Sequence, residues 1–111
     1  MAMNAWLGLT LLLAASAQAG ERVTPRDAAV LAATCFTCHG PDGVPAANAP
    51  GGIPSLRGHG SDWLLQRLRE FKALNPATTD AGATIMPLLL QGYGDAQIEA
   101  LARWFGKKEQ P

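Results

Sequence analysis

The chain has little of what most often announces a function. Acidic and basic side chains balance at nine each, for a formal net charge of zero, so it lacks the clustered basic face that binds nucleic acid. It has two cysteines and two histidines, too few for a disulfide framework or a row of metal sites. No segment after the first twenty residues approaches the roughly 20 apolar residues needed to cross a bilayer. Internal repeats, long low-complexity runs and alternating apolar patterns of strand length are also missing. What remains is one small domain with one core, in a chain of 111 residues of which 48% are hydrophobic and 16% charged.

Charge is missing in a second sense: every Asp, Glu, Lys and Arg lies after residue 20. The leading block holds an apolar run from Trp6 to Ala15, then Ser16 and Ala17-Gln18-Ala19, small residues where a signal peptidase cuts. Residues 1–19 are therefore expected to be an export signal, although Met1 to Ala5 carry no Lys or Arg. The run is too short for a membrane anchor. Residues 20–111 form the expected domain, which would act in the periplasm. A domain of that size buries only about 60 to 65% of its unfolded surface, so a bound group inside it would add to a marginal core.

Both cysteines fall in Cys35-Phe36-Thr37-Cys38-His39, which in an exported protein reads as covalent attachment of one haem c. Two thiols three positions apart on a helical turn can reach the two vinyl groups on one porphyrin edge, and His39 then presents its imidazole to the iron. The same residues could instead make a local disulfide, a thioredoxin-like pair or half of a zinc site. Zinc wants four ligands, and His59 is the one further thiolate or imidazole in the chain. A thioredoxin-like pair gives no role to His39 and needs a strand context that is not found.

An electron-carrying haem iron takes a second axial ligand, and a thioether there raises the reduction potential. Met1 and Met3 fall in the export signal, which leaves Met86, in Thr84-Ile85-Met86-Pro87, as the candidate. Methionine is also a common filler of core gaps. His59, between Gly58 and Gly60, is the rival ligand, or else a turn residue facing water. The proximal imidazole needs an acceptor to fix its tautomer; the carbonyl of Pro54 in Ile53-Pro54-Ser55-Leu56 is a candidate, with Leu56 packing on the haem face. The alternative is an ordinary loop proline.

Thr24-Pro25-Arg26-Asp27 is a helix start that should run into the cysteine motif. Ser61 is expected to cap a second helix with Leu64, Leu65, Leu68 and Phe71 on one face, stopping at Asn75-Pro76. A third starts at Asp95, repeats Ile98, Leu101, Ala102 and Phe105 at helical spacing, and is expected to end at Gly106. The Gly- and Pro-rich stretch between His39 and Ser61 has little capacity for regular structure. The expected fold class is all-α.

A Cys-x-x-Cys-His at the end of a first helix, a Pro-x-Leu, a middle helix, a loop Met and a final helix ending in aromatics together resemble the class I cytochrome c fold across the whole domain. More narrowly, Leu31-Ala32-Ala33-Thr34-Cys35, Ile53-Pro54-Ser55-Leu56, Phe71-Lys72 and Met86 followed by Gln91-Gly92-Tyr93-Gly94-Asp95 resemble the cytochrome subunit of flavocytochrome c sulfide dehydrogenase and cytochrome c4. Those proteins often carry two haem domains, whereas two cysteines allow one. The resemblance implies three main helices around a single haem, and an electron carrier that does no bond chemistry itself. It further implies a partner, a flavoprotein that oxidises sulfide, so that the chain would be one subunit of a sulfide:cytochrome c oxidoreductase. The alternative is a free monohaem carrier serving a terminal oxidase or reductase.

Overall fold

The first helix begins where a local rule places it. The Thr24 hydroxyl oxygen accepts the Asp27 backbone N–H at 3.1 Å, the Asp27 carboxylate reaches back to Thr24, and Pro25 occupies the first turn, where its missing N–H costs nothing. The result is α1, Pro25–His39, closed by the Gly40 N–H donating to the Phe36 carbonyl. A single 3₁₀ turn follows over Pro41–Gly43. Then come α2 (Ser61–Ala73), α3 (Met86–Leu90) and α4 (Asp95–Lys107). This computed structural model describes residues 22–49, 51–77 and 84–107. The segment read as an export signal, residues 1–19, lies outside the described residues.

Among the described residues there is no strand, and no helix is long and apolar enough to cross a membrane. The fold is all-α. Helices α1 and α2 both pack on α4, and α3 packs on α2. At the centre Ala32 of α1 and Leu64 of α2 meet Leu101, Ala102 and Phe105 of α4, all at most 4% exposed. The two alanines let the helix backbones approach, while Leu101 and Phe105 fill the space between; burying each of these larger side chains is worth roughly 1.5–3 kcal/mol.

Three details differ from the sequence expectation. Residue Ser61 is the first residue of α2 and not its cap: Gly60, in extended conformation, takes the cap position with no side-chain hydrogen bond. Gly106 does not end α4, which continues to Lys107. Both differences have one cause, the crossing of the two helices. A Cβ on Gly106 would lie 2.1 Å from Ser61 Oγ and 2.7 Å from Ser61 N, so this glycine serves close approach and not termination. The third difference is α3, an extra five-residue helix where a loop was expected.

Candidate functional site

The last two turns of α1 present the cysteine motif. Cys35 is half-buried against the core cluster and Cys38 is exposed. Both thiols are free, which sets aside the local disulfide. Burial pushes the Cys35 thiol above its ordinary value, and a hydrogen bond with Thr34 pulls it part of the way back. Among the described residues no three His, Cys, Asp or Glu side chains converge as a metal site would require, so the half-zinc alternative finds no other half.

His39, the last residue of α1, is 8% exposed. Its Nδ1 lies 2.7 Å from the Pro54 carbonyl oxygen. A carbonyl has no hydrogen to give, so Nδ1 carries the proton and donates, leaving the lone pair of the neutral ring on Nε2. Among the described residues no hydrogen-bond partner meets Nε2. A buried imidazole with one nitrogen bonded and the other bare fits what an axial haem ligand requires.

The loop that brings Pro54 is tied back to the 3₁₀ turn. The Leu56 N–H donates to the Gly43 carbonyl at 2.8 Å, and the half-buried Leu56 side chain joins Cys35 and Phe36 against the core cluster. Gly43 has φ of 81°, and a Cβ there would come within 2.7 Å of the Phe105 ring; glycine is what lets the turn settle onto α4.

Met86 comes from another element. It is half-buried at the start of α3, and its backbone N–H donates to the Thr84 hydroxyl. Gln91 fixes α3 to α2, its amide donating to the Lys72 carbonyl at 3.0 Å and the Pro87 carbonyl at 2.9 Å. The Lys72 ammonium in turn donates to the Tyr93 carbonyl. The Tyr93 hydroxyl lies 3.1 Å from Thr34 Oγ1; because Thr34 gives its own hydrogen to the Leu31 carbonyl, Tyr93 donates here. The Met86 segment is thus connected through α2 and Tyr93 to the cysteine helix. The rival, His59, stacks on Trp63 at 3.9 Å between ring centroids and 14° between planes.

Sequence reasoning missed Arg57, Gln91 and the Tyr93–Thr34 bond. The partners that join them to other elements are 15 to 59 residues away, a distance at which no local pattern signals a pairing.

Two thiols on one helical turn and a buried imidazole with a bare nitrogen fit a covalently held haem. The family described as cytochrome c matches residues 26–107, and the chain belongs to it. Cytochrome c4 of Azotobacter vinelandii is 33% identical to it over 78 residues, 67% of this chain and 36% of the relative. The cytochrome subunit of sulfide dehydrogenase of Chlorobaculum tepidum is 32% identical over 92 residues, 83% of this chain and 76% of the relative. The chain therefore spans about a third of the first relative's length and about three quarters of the second's. No solved structure matches. The cofactor is haem c, bound through the Cys35 and Cys38 pair, and the function is electron transfer. When bound, its iron supplies a one-electron couple; the protein supplies attachment, ligands and the surrounding dielectric.

Proposed function

We propose that this chain is an exported monohaem electron carrier in which His39 and Met86 are the axial ligands, and that it receives electrons from a flavoprotein of the sulfide dehydrogenase kind. The observation that carries the ligand assignment is the buried His39 ring held by Pro54 with Nε2 bare. Met86 fits the second position because it is the one methionine of the domain, half-buried at the head of α3, whereas the His59 ring is engaged with Trp63. Export and a periplasmic site of action are supported by the apolar run and the Ala17-Gln18-Ala19 cleavage pattern.

The partner assignment draws on the sulfide dehydrogenase relative and on the surface around Met86. Ile85, Leu88 and Leu89 are 60, 59 and 47% exposed, three large aliphatics within five residues. Such a cluster on a small protein supports docking at this face, and a formally neutral chain offers little long-range steering. Association should depend weakly on salt. Changing Met86→Ala tests the ligand: the ferric protein should lose its thioether-to-iron band and its potential should fall. An unchanged spectrum and potential would move the second ligand to His59 or leave an open iron. For the partner, sulfide should reduce the purified protein only when the flavoprotein is added. Rapid reduction by unrelated donors, with affinity collapsing as salt rises, would establish the free carrier instead.

A further inference from the structure

We propose that Arg57 is a positioning residue for the His39 imidazole, locking the segment that carries the Pro54 carbonyl to both the turn after α1 and the end of α4. The proposal rests on His39 being an axial ligand.

The Arg57 side chain is 15% exposed. Its Nε donates to the Asp42 carbonyl at 2.6 Å, and one terminal nitrogen donates to the Phe105 carbonyl at 3.1 Å. The guanidinium lies 5.2 Å from the Trp104 ring and 5.6 Å from the Phe105 ring, and Asp42 Oδ1 is 3.7 Å from the other terminal nitrogen. Two backbone carbonyls on separate elements are therefore gripped by one planar fork, a geometry that lysine cannot reproduce.

Each acceptor explains why a cation sits here. Asp42 has φ of 56°, a left-handed conformation that residues with a Cβ adopt reluctantly, and its carbonyl is turned to the guanidinium. Phe105 lies in the last turn of α4, where carbonyls lack helical partners and the dipole end is negative.

The mechanical argument follows from counting attachments. Without Arg57, the loop would be held to the 3₁₀ turn chiefly through Gly43, by the Leu56 N–H at 2.8 Å and the longer Ser55 hydroxyl contact at 3.4 Å. Bonds converging on one carbonyl act as a pivot. Arg57, three residues past Pro54 and joined to it through the Ser55 hydroxyl, which accepts the Arg57 N–H at 3.1 Å, adds attachment points on two further groups. The loop can then neither swing away from α4 nor rotate, and the Pro54 oxygen stays within hydrogen-bond reach of His39 Nδ1.

The test uses the haem-loaded protein and three variants. Arg57→Met keeps the packing stem without donors, Arg57→Lys keeps the charge, and Asp42→Asn removes the charge of the longer ion pair and leaves the Asp42 backbone carbonyl in place. In the ferrous protein, the His39 Nδ1–H should exchange with solvent about tenfold faster in R57M, equivalent to about 1.4 kcal/mol. R57K should fall between, and D42N should match the parent. In the ferric protein the hyperfine-shifted His39 ring resonances should move in R57M, reporting a turned ring. Exchange that rises only in proportion to lost global stability, with unmoved ring resonances, would overturn the proposal and leave Arg57 a plain structural residue. If R57M does not fold, R57K decides by the same two measurements. A parent protein with no hyperfine-shifted His39 resonances would instead defeat the ligand assignment on which the proposal rests.

Discussion

Replacing Gly106 by alanine sets two known effects against each other, and the structure fixes the sign. Within a helix, alanine is favoured over glycine by roughly 1 kcal/mol, and Gly106 lies inside α4. Propensity alone predicts a gain in stability. The new Cβ, however, would lie 2.1 Å from Ser61 Oγ, 2.7 Å from Ser61 N and 2.8 Å from Ser61 Cα. Comfortable carbon contacts need about 3.5 Å or more, so the first turn of α2 must retreat by roughly 1 Å. The hydroxyl can rotate away, but the backbone nitrogen and Cα cannot. Overpacking costs about 1–3 kcal/mol, and with backbone atoms as the close neighbours the upper part of that range, about 2–3 kcal/mol, applies, which leaves a net loss of about 1–2 kcal/mol after the propensity gain. For a domain of this size each kcal/mol moves Tm by about 4–8 °C. Thermal unfolding of the haem-loaded G106A protein, followed by far-ultraviolet circular dichroism, should show a Tm lower by about 4–16 °C. Adding Ser61→Gly should restore only part of the loss, because the backbone contacts persist. A G106A protein at least as stable as the parent would refute the reasoning and show that the α2–α4 crossing yields freely.

Three further perturbations test separate parts of the structure. Thr24→Ala should cost about 1 kcal/mol in denaturant unfolding through loss of the reciprocal cap, while Thr24→Ser should be close to neutral. Gln91→Leu deprives the Lys72 and Pro87 carbonyls of their donor; stability should fall by about 1 kcal/mol, and amide exchange over residues 86–90 should quicken more than in α4. A double-mutant cycle on Arg69 and Glu99, 2.9 Å apart but each about half exposed, should return a coupling below about 1 kcal/mol that vanishes in 1 M salt.

Where chemistry was local, the sequence made it plain. Thr24, Pro25 and Asp27 specify a helix start among themselves, and Ile98, Leu101, Ala102 and Phe105, chosen by spacing alone, are all buried. The Cys-x-x-Cys-His motif announced haem within five residues. Helix α2 was readable in extent but less so in burial: Leu64 is buried, while Leu65, Leu68 and Phe71 are half-buried, because a stripe does not reveal how much of it a partner covers. Helix α3 was invisible, since five residues beginning Met86-Pro87 are too few to display a helical period. Ser61 and Gly106 were misread together, each assigned a terminal role by residue type when their meeting decides both. Arg57 carried no signal at all, because the two carbonyls it grips, on Asp42 and Phe105, are 15 and 48 positions away.

The central cluster joins Ala32 to Leu101, Ala102 and Phe105, so the core closes a chain segment of about 70 residues. Such closure is entropically late: α1 cannot dock until the final helix exists to receive it. A polypeptide that emerges amino terminus first therefore displays Cys35 and Cys38 long before Phe105 arrives. The surface that half-buries Cys35 and raises its thiol is missing throughout that interval. Topology in this way keeps the Cys35 thiol open until the final helix packs, so that thioether formation before docking would meet none of the burial that raises it.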